Sequence, residues 1–128
     1  MNLVDSSAWL EYFAGGANAP FFAAAIEKTE DLLVPTVVLY EVFKRVLQQC
    51  NEDDALQVAA VMRQGTVVDL DTRLALAAAG ISRNIKLAMA DSVILATARA
   101  HGATIWTQDA DFKGLPAVQY REPKGGRA

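Results

Sequence analysis

Short apolar runs alternate with longer stretches of helical periodicity along this chain of 128 residues. Asn2-Leu3-Val4 is brief, apolar and closed by Asp5-Ser6-Ser7, which predicts a buried strand feeding a helix. That helix carries Trp9, Leu10, Tyr12 and Phe13, with Ser6 or Ser7 as the expected cap and Gly15-Gly16 as its stop. A second helix is expected from Ala19-Pro20 to Glu30, because proline suits a first helical turn. Leu32-Leu33-Val34 predicts the next strand, closed by Pro35. From Thr36 to Cys50, Val38, Leu39, Val42, Phe43, Val46 and Leu47 return with helical spacing, and a further amphipathic segment runs from Asp53 to Gln64 before Gly65.

The second half repeats the alternation. Thr66-Val67-Val68-Asp69-Leu70 is β-branched and reads as a strand, and Thr72 to Asn84 as a helix that Gly80 is expected to bend or end. Ala90 to Ala100 is helical up to His101-Gly102. Ala103-Thr104-Ile105-Trp106 is a strand, and Ala117-Val118-Gln119-Tyr120 a last edge strand. Strands separated by helices need crossovers, so the expected class is α/β: a three-layer α/β/α sandwich around a mainly parallel sheet of four to five strands. Residues 1–122 are read as a single domain and residues 123–128 as a mobile tail.

Composition narrows the chemistry. Hydrophobic residues make up 52% and charged residues 21%, an ordinary folded balance. A formal net charge of −3 gives no global attraction to nucleic acid, so such a substrate needs local cations or bound metal. Cys50 lies at the end of an apolar stripe and is expected to be a buried structural thiol. No apolar run reaches membrane-spanning length and the start lacks a signal-peptide pattern, so a cytoplasmic setting is expected.

Carboxylates stand at the ends of these elements. Asp5 follows the first strand, Asp91 opens a helix, and Asp109 and Asp111 follow the strand ending near Trp106. Ligands of open parallel sheets bind beyond the carboxyl ends of the strands, so Asp5 and Asp109 share a crevice if their strands are neighbours. A helix cap is the alternative for Asp5, but Ser6 or Ser7 could cap equally well, so the strand-end position favours a site role; for Asp91, dipole compensation explains the charge equally. Glu41 falls away from the Val38–Val42–Val46 stripe, and its i, i+4 spacing to Arg45 suits a solvated salt bridge. In Thr107-Gln108-Asp109-Ala110-Asp111-Phe112, Asp109 is expected to point inward, Asp111 to stabilise the loop or act through water, and Phe112 to anchor it.

Other chemistries lack residues. Neither a glycine-rich phosphate loop nor GxGxxG is present, and one histidine (His101, expected to cap carbonyls or sit in solvent) with one cysteine supports no zinc site or nucleophilic pair. What remains is carboxylate chemistry around a hard divalent ion held by oxygens.

Four segments together resemble one family. Val4-Asp5-Ser6-Ser7-Ala8-Trp9, Val37-Val38-Leu39-Tyr40-Glu41-Val42, Ala90-Asp91-Ser92-Val93-Ile94-Leu95-Ala96-Thr97-Ala98 and the run from His101 to Phe112 are similar to PIN-domain motifs in order and spacing. Overall, Asn2 to about Tyr120 resembles the VapC-type toxins of bacterial toxin–antitoxin pairs. The resemblance implies a metal-dependent endoribonuclease, usually a homodimer, with Asp5, Glu41, Asp91 and Asp109 as its acidic quartet. Asp5, Asp91 and Asp109 would hold Mg2+, or Mn2+ in its place. Thr107 would orient the carboxylates, Ser6 would bond within the site, and Asp111 would support them. Relatives commonly carry Thr-Arg-Asp where this chain has Thr107-Gln108-Asp109. The implied partners are an RNA substrate and a cognate VapB-like antitoxin, and no membrane. Two rivals stay open: an inactive PIN-like module that only binds RNA or a partner, and a receiver-like phosphoacceptor domain. The second normally needs a lysine at the end of a late strand, where this chain has Thr107-Gln108.

Overall fold

The computed structural model describes residues 1–124. Five strands form one sheet: β1 (Asn2–Val4), β2 (Leu32–Pro35), β3 (Thr66–Val68), β4 (Thr104–Thr107) and β5 (Val118–Tyr120). Their order is β3-β2-β1-β4-β5, and every neighbouring pair is parallel. Six helices provide the crossovers: α1 (Ser6–Ala14), α2 (Ala19–Ile26), α3 (Thr36–Gln49), α4 (Glu52–Met62), α5 (Thr72–Ile85) and α6 (Met89–His101). All four residues of β2 are buried although successive side chains face opposite ways, so the sheet is covered on both faces. The result is the three-layer α/β/α arrangement.

The core follows from the same pattern. Leu3, Val4, Leu33, Val34 and Ile105 of the sheet meet Trp9, Phe22, Val38, Val42 and Ile94 of the helices in one apolar cluster. Residues 92–98 of α6 are buried without interruption, which makes it the most enclosed helix. Gly65, between α4 and β3, packs tightly: a Cβ there would lie 2.9 Å from the Leu32 carbonyl oxygen. Gly102 ends α6 in the left-handed region at φ 60°, the glycine-favoured stop.

Several expectations are corrected. α2 ends at Ile26 rather than Glu30, and a 3-10 turn over Thr29–Asp31 leads into β2. Pro35 is the last residue of β2, not its terminator. Gly80 does not end α5, which runs on to Ile85 and stops where Lys86 adopts φ 59°. Cys50 is exposed, because α3 closes at Gln49 and the thiol lies beyond its buried stripe. The tail read as mobile falls, from Gly125 onward, outside the described residues. No helix is long and apolar enough to cross a membrane among the described residues.

Candidate active site

The strand order reverses direction beside β1, between the half that grows through β2 and β3 and the half that grows through β4 and β5. A crevice forms at such a switch point, beyond the carboxyl ends of the strands. The register pairs Val4 with Trp106, so Asp5 and Thr107 emerge side by side. The amide of Asp5 still donates to the Trp106 carbonyl at 3.1 Å, extending the ladder by one bond.

Asp5 is both the cap of α1 and a member of this crevice. Its Oδ1 accepts from the Ala8 amide at 3.0 Å and from Ser7 Oγ at 2.8 Å, and its Oδ2 accepts from Thr107 Oγ1 at 2.5 Å. The two readings of Asp5 are therefore compatible, and the expectation of a serine cap is corrected. Burial pushes its carboxyl up to about 6, against the lowering effect of these donors, and Asp109 adds to the rise.

Asp109 caps a second 3-10 turn, over Ala110–Phe112. Its amide donates to Thr107 Oγ1 at 2.8 Å and its Oδ1 accepts from the Asp111 amide at 2.9 Å. Phe112, fully buried, anchors the turn. Asp91 lies in the first turn of α6, half-buried and facing this loop. Burial first, then Asp109, Asp111, Asp5 and Glu41 in that order, push its carboxyl up to about 7.

Glu41 reaches the group from α3. Ser6, at the start of α1, donates to its Oε1. The expected Glu41–Arg45 salt bridge is not formed; the ion pair among the described residues is Lys28–Asp31, at 4.0 Å. The wheel-based reading failed because Glu41 sits at the border of the buried stripe, where α3 crosses the first turn of α1.

Asp5, Glu41 and Asp109 thus all act electrostatically on Asp91, and Ser6 bonds Glu41 while Thr107 bonds Asp5 and the Asp109 amide. One oxygen each from Asp91, Asp109 and Asp111 lie within 4.8 Å of one another. Asp111, expected to act in support, belongs to this tight group; Asp5 is not one of the three and bonds Thr107. The donor set suits a hard divalent cation: it is all carboxylate oxygen, and among the described residues no lysine or arginine pairs with it.

Two residues were not anticipated. Ser7 donates to Asp5 and accepts from the Gln108 amide at 3.2 Å, tying α1 to the β4 loop. Its position two residues after a strand-end aspartate was the available signal. Asn18, buried before α2, donates through Nδ2 to Gln108 Oε1 and to the Glu122 carbonyl, both at 3.0 Å. Nothing in the sequence marks it.

The family model described as "PIN domain" matches residues 3–118. Comparison with curated protein sequences returns no match. Among solved structures, the chain is similar to a toxin–antitoxin complex from Klebsiella pneumoniae, with a TM-score of 0.78 at 21% identity, covering 93% of this chain and 96% of that one. It is also similar to VapC20 of Mycobacterium tuberculosis, a sarcin–ricin-loop-cleaving toxin, with a TM-score of 0.75, 20% identity and 92% and 97% coverage. DNA-bound VapBC from Salmonella typhimurium gives a TM-score of 0.72 at 15% identity, with 95% and 98% coverage.

Proposed function

The chain belongs to the PIN-domain family, and from its acidic crevice we propose that it is a metal-dependent endoribonuclease, the toxin of a toxin–antitoxin pair. The observation that carries this reading is the tight carboxylate group of Asp91, Asp109 and Asp111, with Asp5 and Glu41 in its field and no cationic partner among the described residues. Like charges held this close need a compensating cation. Asp91, Asp109 and Asp111 would hold the ion, with Asp5 enlarging the negative surround. Magnesium or manganese held there would supply an activated water and offset charge on the phosphate.

The chain's own residues do the rest. Thr107 and Ser7 fix the Asp5 carboxylate, and Asp109 is fixed by its own turn. Ser6 holds Glu41 through Oε1, which leaves Oε2 to accept the proton of the attacking water. The substrate is single-stranded or looped RNA, the form in which a phosphodiester is open to a crevice of this kind. The reading includes a homodimer in the cytoplasm and a cognate antitoxin. The antitoxin is supported by likeness to toxin–antitoxin complexes and would silence the site by presenting a cation such as arginine to the carboxylates.

Purified chain incubated with total RNA tests the proposal. Cleavage that requires magnesium or manganese, and is lost in Asp5→Asn and Asp91→Asn variants of unchanged fold, supports it. Full cleavage by either variant, or none by the parent, overturns it. The receiver-like alternative loses ground because β4 ends in Thr107, with Gln108 next, where a lysine is required.

A further inference from the structure

On the outward side of Glu41, helix α3 borders an open hollow of about 210 Å3 enclosed by Tyr40, Glu41, Lys44, Arg45 and Gln48. Glu41 lines this hollow and also adds to the field on Asp91, so the hollow adjoins the acidic group. Tyr40 is 62% exposed, far more than a core aromatic, and the Lys44 ammonium sits 5.7 Å from its ring centroid. Arg45 has the favourable spacing to Glu41 but makes no ion pair with it. Ser6 holds Glu41 instead, which leaves the Arg45 guanidinium free for another partner. Two cations and an amide surround an exposed ring beside a cluster of carboxylates.

This set matches one ligand chemistry. Arginine and lysine bind phosphate, an exposed ring stacks on any base, and a glutamine amide bonds base edges or ribose. A chain of net charge −3 also needs local cations to approach a polyanion, and here they adjoin the carboxylates. We propose that Tyr40, Lys44, Arg45 and Gln48 form a nucleotide subsite for single-stranded RNA next to the acidic crevice. Lys44 and Arg45 hold a phosphate, Tyr40 stacks on the base, and Gln48 contacts the base edge or sugar. The subsite rests on the nuclease reading and fixes where the strand lies relative to Glu41.

Fluorescence anisotropy of a labelled degenerate RNA of about 12 nucleotides tests it, in the Asp91→Asn background so that bound RNA stays intact. Tyr40→Ala and Arg45→Ala should each weaken binding about tenfold, and Tyr40→Phe should retain it. Arg45→Ala should also flatten the salt dependence by about 0.7 in log–log slope, the signature of one lost phosphate contact on a single strand. Lys28→Ala, at the amino end of β2, is the control and should bind as the parent does. All three replaced side chains are exposed, so melting curves should stay unchanged. Affinities within twofold of the parent for both alanine variants, or no measurable binding by the parent, overturn the subsite; an acidic or amphipathic peptide binding here instead gives the first of these results. Weakened RNA binding in a chain that shows no metal-dependent cleavage leaves the subsite standing and overturns the nuclease reading alone.

Discussion

Thr107 Oγ1 donates its proton to Asp5 Oδ2 at 2.5 Å and itself accepts from the Asp109 amide at 2.8 Å. One fully buried side chain thereby ties the carboxylate after β1 to the carboxylate after β4. Valine in place of threonine keeps the β-branched shape and deletes both bonds. Thr107→Val should cost about 1–3 kcal/mol, since it strips donors from a buried carboxylate and leaves the Asp109 amide unpaired. The Asp5 carboxyl should move further upward, because the strongest of its stabilising donors is gone. Thr107→Ser should restore both properties. Urea melts and a carboxyl-carbon NMR titration provide the check, and an unchanged Asp5 titration in the valine variant contradicts the relay.

Stability of the metal-free protein should fall as pH rises from about 4 to about 7. Asp5 and Asp91 titrate near 3.8 when unperturbed and at about 6 and about 7 in the fold. Across that interval the folded state keeps protons that the unfolded chain has released, so their contribution is complete below pH 3.8 and is lost as pH passes the folded values. The loss is about 3 kcal/mol from Asp5 and about 2 kcal/mol from Asp91, the latter halved because water reaches half of that group, so about 5 kcal/mol together. Millimolar magnesium at pH 7.5 should recover most of it, since the ion binds the folded chain alone. Urea midpoints at several pH values, with and without magnesium, decide this; a midpoint that rises through the interval in metal-free buffer contradicts it.

The sheet was legible because its strands are short, apolar and punctuated by Asp, Pro or Gly, as around Leu3-Val4 and Leu32-Val34, and neither edge strand is hidden. Helix ends were less so. Gly80 looked like a breaker, but α5 packs along α6 through Leu74 and Ala78, and that packing outweighs one glycine's propensity penalty. Strand-end position alone placed Asp5 and Asp109 together at the carboxyl ends of β1 and β4. Glu41 was read locally as a surface residue and entered only by resemblance, because a helical wheel does not show that the first turn of α1 crosses there. Asn18 and Gln108 are 90 residues apart and meet only through the packing of two loops. No local pattern encodes that.

Removing one of the crowded charges should stabilise the empty protein. Asp91→Asn relieves repulsion with Asp109, Asp111, Asp5 and Glu41 and should raise the metal-free melting temperature by several degrees, about 1 kcal/mol. The same variant should lose the magnesium-induced rise. Asp5→Asn should behave oppositely in metal-free buffer, because Asp5 caps α1 and accepts three hydrogen bonds that an amide only partly replaces. Differential scanning fluorimetry compares both; a lower melting temperature for Asp91→Asn would show that its charge is compensated within the fold.

Asn18 should matter to the site without touching it. Its amide binds Gln108, next to Asp109, and the Glu122 carbonyl beyond β5, while its own backbone amide donates to Glu11 at 2.8 Å. Alanine removes the buried donor from two acceptors that water can still reach, which should cost about 0.5–1.5 kcal/mol. The Asp109 loop then loses one of its two links to the α1–α2 region, Ser7 being the other. Magnesium affinity should therefore drop several-fold in Asn18→Ala beyond what the stability loss explains, measured at a temperature where the variant is fully folded. Calorimetric titration against the parent makes the distinction: equal magnesium affinity in a destabilised Asn18→Ala would confine Asn18 to packing and leave the Asp109 loop held by Ser7 and Thr107 alone.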